Sequence, residues 1–150
     1  MDLVALADRI AAEAHAGQVD KAGAPYIEHP RRVAASLDTP EEQAVALLHD
    51  VREDTLLTAW DLWAEGVPAE IAAAVEVLTR RSGEGYLQGF IPRCASHPVA
   101  RRVKLADLAD NLRPERLALL PAEQAEGLRR RYEAARALLL KASDDGRVEY

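Results

Sequence analysis

Aromatic residues, cysteine and uninterrupted apolar stretches are all scarce in this sequence, and each scarcity removes a class of protein. Aromatics account for 5% of the 150 residues, with a single phenylalanine, so the chain lacks the aromatic and β-branched content that favours sheets. Its one cysteine, Cys94, has no partner for an intramolecular disulfide. No stretch approaches the roughly 20 apolar residues that span a bilayer, and the N-terminus has neither the basic start nor the apolar core of a secretory signal. Positive charge is also in deficit. The 19 Lys and Arg against 25 Asp and Glu give a net charge of −6, whereas a protein that coats nucleic acid needs a broad positive surface to displace counterions. The expectation is a cytoplasmic protein whose partners include neither a membrane nor a nucleic-acid polymer.

What the chain has in abundance is alanine and leucine, within a hydrophobic share of 49%, and these are strong helix formers. The length suits one domain with a real core. An all-α fold follows, a compact bundle of about seven to eight helices, with residues 1–141 as the domain and 142–150 as a polar tail. Asp2 suits the cap of a first helix carrying Leu3, Leu6, Ile10 and Ala14, with Gly17 near its end. Residues 18–28 read as a loop, and Pro30 belongs in the first turn of a second helix with Val33, Ala34 and Leu37. Thr39, Pro40 and Glu42 predict a capping box that opens a third helix through Leu47 and Leu48, running straight into His49 and Asp50. Further helices are expected after Thr58, after Pro68, around Tyr86 to Ile91, after Pro98 and after Pro121. The last carries Leu128, Tyr132, Ala135 and Leu139 as its buried stripe.

The chemistry begins at His49-Asp50, which ends an apolar run where an uncompensated charge is expensive to bury. Taken alone, the pair also reads as an ordinary helix C-terminus, with the imidazole on the dipole and the carboxylate in water. Asp107 sits in the semi-apolar run Val103 to Leu108, where Lys104 one turn earlier is a sufficient ion-pair partner. His29, fixed before Pro30, reads equally as a capping or core histidine. Jointly, two imidazoles and two carboxylates are a set that manganese, iron or zinc accepts. Four protein ligands around an octahedral ion leave positions open for water and a substrate oxygen, which suits hydrolysis of a phosphate ester. Glu53, four residues after His49, lies on the same side if the helix continues and is the candidate general base or acid, with Asp54 beside it. Both also read as the solvated start of a turn. His15 is expected to pack or hydrogen-bond locally and His97 to cap a turn. Trp60 and Trp63, three apart on one short helix, suit core or subunit packing, so homo-oligomerisation is a further expectation.

Four ordered motifs carry a resemblance: Ala14-His15-Ala16-Gly17-Gln18, Pro25-Tyr26-Ile27-Glu28-His29-Pro30, Leu47-Leu48-His49-Asp50-Val51-Arg52-Glu53-Asp54-Thr55, and Val103-Lys104-Leu105-Ala106-Asp107. Their order and spacing resemble the HD-domain hydrolase of RelA/SpoT-type alarmone enzymes and the stand-alone small alarmone hydrolases, over about three-quarters of the chain, through Arg113. The resemblance implies a divalent metal ion, manganese first, held by His29, His49, Asp50 and Asp107. It implies Glu53 and Asp54 as catalytic, Asn111 and Arg113 at the nucleotide pocket, and Lys21 near the substrate; Lys104 joins these as a basic residue beside the motifs. The bond broken would join a 3′-pyrophosphate to a guanosine nucleotide or an adenosine counterpart. Two positions depart from the family pattern: Asp20 stands where an arginine commonly stacks on the base, and Pro114 follows Arg113 where a polar residue is usual. An acidic side chain cannot stack as a guanidinium does, which keeps open a phosphatase of another nucleotide or of an NADPH-like cofactor. A non-catalytic nucleotide- or protein-binding module is the reading from another class.

Overall fold

The computed structural model describes residues 2–21 and 23–141, the side chain of Asp54 excepted, so the tail expected at 142–150 lies outside the described residues. Its regular structure consists of α1 (Leu3–Ala14), α2 (Glu28–Ala35), α3 (Pro40–Leu48), α4 (Val51–Asp54), α5 (Ala59–Ala64), α6 (Ala69–Val77), a π-helical turn (Tyr86–Phe90), α7 (Ile91–Ala95), α8 (Pro98–Asn111), α9 (Pro114–Leu117) and α10 (Ala122–Leu140). One isolated bridge joins Val19 to Pro25. The fold is the all-α bundle that the composition predicts. The short segments α4 and α9 are single helical turns of the kind that periodicity over a longer window does not register.

The bundle is organised around α3. Every residue from Ala44 to Leu48 is buried, and the helix packs against α1, α2, α6 and α8. A helix apolar on all sides is stable only when surrounded, and the alanines at 44 and 46 let neighbours approach from several directions. Thr39 caps it, its Oγ1 accepting from the Glu42 backbone N–H at 3.2 Å, with Pro40 in the first turn. The expected reciprocal half of that box is replaced, because the Glu42 carboxylate reaches across to Arg102 Nε of α8 at 2.7 Å. A full capping box forms instead between Thr58 and Asp61 at α5. At the C-terminal end the helix does not run on through His49. It closes at Leu48, and α4 restarts at Val51 after Asp50.

α8 opens where the sequence places it, after His97, whose Nδ1 accepts from the Ala100 backbone N–H at 3.1 Å. Ala100, Val103 and Leu108 are fully buried on its inner face. Because α2 packs on both α3 and α8, the three helices meet, and the residues where they meet are the charged ones described below. The segment after α6 is tied down by Arg93, which donates to the carbonyls of Val77 at 2.8 Å and Thr79 at 3.0 Å and grips both carboxylate oxygens of Glu84 at 2.7 and 3.0 Å. A guanidinium thereby satisfies carbonyls that α6 leaves open at its end. The hydrogen bond from Arg93 in turn holds the Glu84 carboxyl down at about 2. Trp60 and Trp63 are no part of the core: they are 69% and 59% exposed, with ring centroids 4.8 Å apart. No described helix is long and apolar enough to cross a membrane.

Replacing the fully buried leucine that ends α3 leaves a void that these small neighbours cannot fill. Leu48→Ala is expected to lower unfolding free energy by about 2–5 kcal/mol, read as a shifted denaturation midpoint with little change in slope.

Candidate metal centre

His29 reaches the junction from the first turn of α2, His49 from the C-cap of α3, Asp50 from the turn into α4, and Asp107 from the inner face of α8. Ligand atoms of His29, His49 and Asp50 lie within 4.8 Å of one another, and Asp107 closes the group. Its Oδ1 is 2.9 Å from His29 Nε2 and 3.2 Å from His49 Nε2. Asp50 Oδ2 is 3.1 Å from His49 Nε2 and 3.9 Å from His29 Nε2. Both histidines and Asp107 are 2–3% exposed.

The other ring nitrogens decide what this arrangement accepts. His49 Nδ1 lies 2.5 Å from the Ala46 carbonyl, which can only accept, so that nitrogen carries a proton. His29 Nδ1 donates to Asp110 Oδ2 at 2.6 Å; Arg116 Nη1, 2.9 Å from the same nitrogen, points at the same carboxylate oxygen at 2.8 Å. Each imidazole in its neutral form therefore aims the Nε2 lone pair at carboxylate oxygens. Lone pairs facing one another in a dry site need positive charge between them, either protons on both rings or a bound cation. Metal-ligating histidines show this pattern of a carboxylate or carbonyl behind the ring, and the donor set of two nitrogens and two oxygens suits a divalent ion.

Without an ion, the electrostatics report the same tension. Burial acts to strip the proton from His49, but the charges of Asp50 and Asp107 outweigh it and hold the ring well above its ordinary value. His29 is raised as well, burial being overcome by its bonds to Asp107 and Asp110. Burial pushes Asp50 up, and the His49 charge brings it down to about 2. Asp107 falls far below the usual carboxylate range for a similar reason, with Lys104 the first opposing charge. Lys104 Nζ sits 2.9 Å from Asp107 Oδ2, leaving Oδ1 to the imidazoles.

No family model matches the chain. Over 136 residues it is 35% identical to the guanosine-3′,5′-bis(diphosphate) 3′-pyrophosphohydrolase of Haemophilus influenzae, and over 137 residues 34% identical to the bifunctional (p)ppGpp synthase/hydrolase SpoT of Escherichia coli. Each alignment takes in 78% of this chain but only 20% and 19% of the relative, so the chain spans about a fifth of their length. In three dimensions, 97% of the chain superposes on 90% of a metazoan ortholog of SpoT described as hydrolysing ppGpp, with a TM-score of 0.80 and 22% identity. The chain folds as a SpoT-like HD domain.

In this SpoT-like domain His29, Asp50 and Asp107 line a cavity of about 350 Å³ together with Glu53, Lys104 and Asn111. Glu53 is held by the Arg80 backbone N–H, 2.5 Å from its Oε1. Asn111 Nδ2 lies 3.4 Å from Asp107 Oδ1. A second cavity of about 570 Å³ shares Tyr26, Asn111, Arg116, Leu128 and Tyr132 with the first and adds Lys21, Asp20 and the leucines at 117, 119 and 120. Of the stripe expected on α10, Ala135 and Leu139 are fully buried, while Leu128 and Tyr132 are half-buried and line the cavity, Tyr132 also packing against the core. Arg113 lines neither cavity; its guanidinium bonds Glu115 at 2.9 Å and Asp110 at 3.4 Å. Asp54 lies outside the described side chains. His15 is buried with Nδ1 3.0 Å from Gln18 Oε1.

Sequence reasoning left out several groups. Tyr26 Oη donates to Asp50 Oδ2 at 2.5 Å, fixing that carboxylate from outside. Asp110 receives His29, Arg32 at 2.9 and 3.2 Å, and Arg116. It stands one helical turn after Asp107, a spacing that puts both on one face, and that was the available signal. Arg80, Arg116 and Arg131 also line the smaller cavity, and no local pattern marks them.

Asp107→Ala is expected to abolish stoichiometric divalent-ion binding while leaving helical circular dichroism near that of the parent. Retained full occupancy excludes Asp107 from the ligand set. Both imidazoles bind a proton more tightly in the ion-free fold than at the unfolded value of about 6.5. Their contribution to ion-free stability is thus complete below that pH and is lost as pH rises through the raised folded values. Ion uptake must displace those protons, so calorimetric titration is expected to show affinity climbing as pH increases and protons released to the buffer.

Proposed function

We propose that this domain is a metal-dependent phosphohydrolase that removes the 3′-pyrophosphate from an alarmone nucleotide of the (p)ppGpp or (p)ppApp type. The observation that carries the reading is the convergence of two imidazole nitrogens and two carboxylates beside a cation-lined cavity that shares five wall residues with a larger, largely apolar one. A charged phosphate chain suits the first space and a nucleoside the second. Relatives named for ppGpp hydrolysis support the same substrate class.

In this reading His29, His49, Asp50 and Asp107 hold the ion, with manganese the preferred metal and iron or zinc accepted. When bound, such an ion supplies Lewis acidity and makes water nucleophilic near neutral pH. The chain's own groups do the rest. Glu53, steadied by the Arg80 amide, takes the proton from the attacking water, with Asp54 assisting; the water oxygen bonds to phosphorus as the 3′ oxygen departs with a proton. Lys104 and Asn111 meet the phosphates, Lys21 and Asn111 the nucleoside side, and Arg113 acts through its bond to Asp110. The action is cytoplasmic, and the exposed Trp60–Trp63 pair on α5 supports self-association.

One observation favours a second substrate within the same chemistry. Asp20 lines the larger cavity, with its Oδ1 accepting from the Ala24 amide at 3.0 Å, in place of a group that stacks on a base. A 3′- or 2′-phosphorylated nucleotide or an NADPH-like cofactor then remains a competitor, distinguished by its product.

The test is manganese-dependent turnover of ppGpp, pppGpp, ppApp, NADPH and simple nucleoside phosphates, with pyrophosphate and orthophosphate measured separately. Pyrophosphate from an alarmone is expected, orthophosphate alone selects the competitor, and a silent panel with metal bound points to a binding module. Glu53→Gln is expected to keep the ion and lose about a hundredfold or more in kcat, since the amide preserves shape but carries no proton. Asp20→Arg is expected to lower KM for guanosine alarmones; unchanged kinetics place base recognition elsewhere.

A further inference from the structure

Three consecutive arginines on α10 have different fates. Arg129 and Arg130 are committed to Glu126, and Arg129 also to Glu133. Arg131, one helical step on, forms no ion pair or hydrogen bond among the described residues. Its guanidinium carbon lies 3.9 Å from the centroid of the Tyr86 ring, on the wall of the smaller cavity. Arg80 and Lys104 flank the same ring at 5.7 and 5.9 Å. The Tyr86 hydroxyl oxygen is buried and has no hydrogen-bond partner.

A buried hydroxyl without a partner is costly, and of the three cations beside this ring only Lys104 is paired with a carboxylate among the described residues, Asp107 at 2.9 Å. Stacking leaves the guanidinium edge of Arg131 available for bidentate recognition of phosphate oxygens. One cavity is thus lined both by His29, Asp50 and Asp107 and by this cationic cradle around Tyr86, with Lys104 joining the two through its bond to Asp107. Glu53 and Arg80 line the same cavity.

We infer that Arg131 stacked on Tyr86, together with Arg80 and Lys104, forms the subsite for the outer phosphoryl group of the departing diphosphate. The inference rests on the diphosphate-releasing function proposed above and adds the residues that distinguish a 3′-diphosphate from a 3′-monophosphate. Water's oxygen becomes bonded to the inner phosphorus, the bond from that phosphorus to the 3′ oxygen breaks, and the whole pyrophosphate leaves. The cradle holds the outer phosphate throughout and neutralises its charge.

The experiment uses the metal-loaded full chain and measures pyrophosphate and orthophosphate binding by calorimetry in the parent, Arg131→Met, Tyr86→Phe and Arg130→Met. Arg131→Met is expected to weaken pyrophosphate about tenfold or more while orthophosphate affinity changes less than about twofold. Tyr86→Phe, which keeps the stacking ring, is expected to give a smaller loss of pyrophosphate alone, and Arg130→Met to leave both ligands as in the parent. Equal weakening of both anions by Arg131→Met, unchanged pyrophosphate affinity, or no pyrophosphate binding by the parent overturns the subsite. Alarmone turnover is read separately in the same preparations. Hydrolysis with an Arg131→Met variant of unaltered KM removes the subsite and leaves the function. Arg131-dependent pyrophosphate binding without alarmone turnover keeps the subsite and removes the function.

Discussion

A carboxylate carrying full charge at 3% exposure must be compensated from several sides at once, and Asp107 is surrounded accordingly. Lys104 occupies one oxygen, and two imidazoles and the Asn111 amide face the other. Removing one member of such a buried group strands the rest, which is why breaking buried ion pairs is far more damaging than never having formed them. The partners come from α2, the end of α3 and α8 itself, so the charge balance at Asp107 and the mutual packing of these helices are one constraint. Apolar packing brings the backbones together, and the imidazoles set how closely they close.

The same constraint explains the breaks in regular structure. A continuous helix through His49 and Asp50 would keep Glu53 on the side of His49 but turn the adjacent side chain of Asp50 away from it by about 100°. Closing α3 at Leu48 and restarting α4 at Val51 turns His49 and Asp50 toward one point while Glu53 still lines the cavity. The tautomers are settled by groups outside the cluster, the Ala46 carbonyl for one ring and Asp110 for the other. Asp110 also bonds Arg32 and Arg116, so the orientation of His29 is tied to two arginines outside the cluster.

Much of this was legible beforehand where local chemistry decides local structure. Asp2, Thr39, Thr58 and His97 cap the helices they precede, and proline marks most of the helix starts. His29, His49, Asp50 and Asp107 were legible as a set because motif order survives in sequence even when the contacts span some 80 positions. Other features answer to tertiary geometry. Glu42 abandons its cap because Arg102 offers a full charge across the interface. Leu128 and Tyr132 match the helical stripe of the core, yet α10 overhangs a cavity there. The tryptophans obey helical spacing and still face outward, since spacing states which residues share a side and leaves open what covers it. Arg80, Arg116 and Arg131 come together only through the path of the loop after α6 and the docking of α9 and α10.

Arg93 lies away from the reacting groups, yet its grip on Val77, Thr79 and Glu84 settles when the site becomes ordered. The loop it holds presents the Arg80 amide to Glu53 and the Arg80 side chain to the cavity. The conformational entropy of that loop is therefore surrendered during folding, so an arriving ligand meets a carboxylate and a cation already in place and spends none of its binding free energy on assembling them.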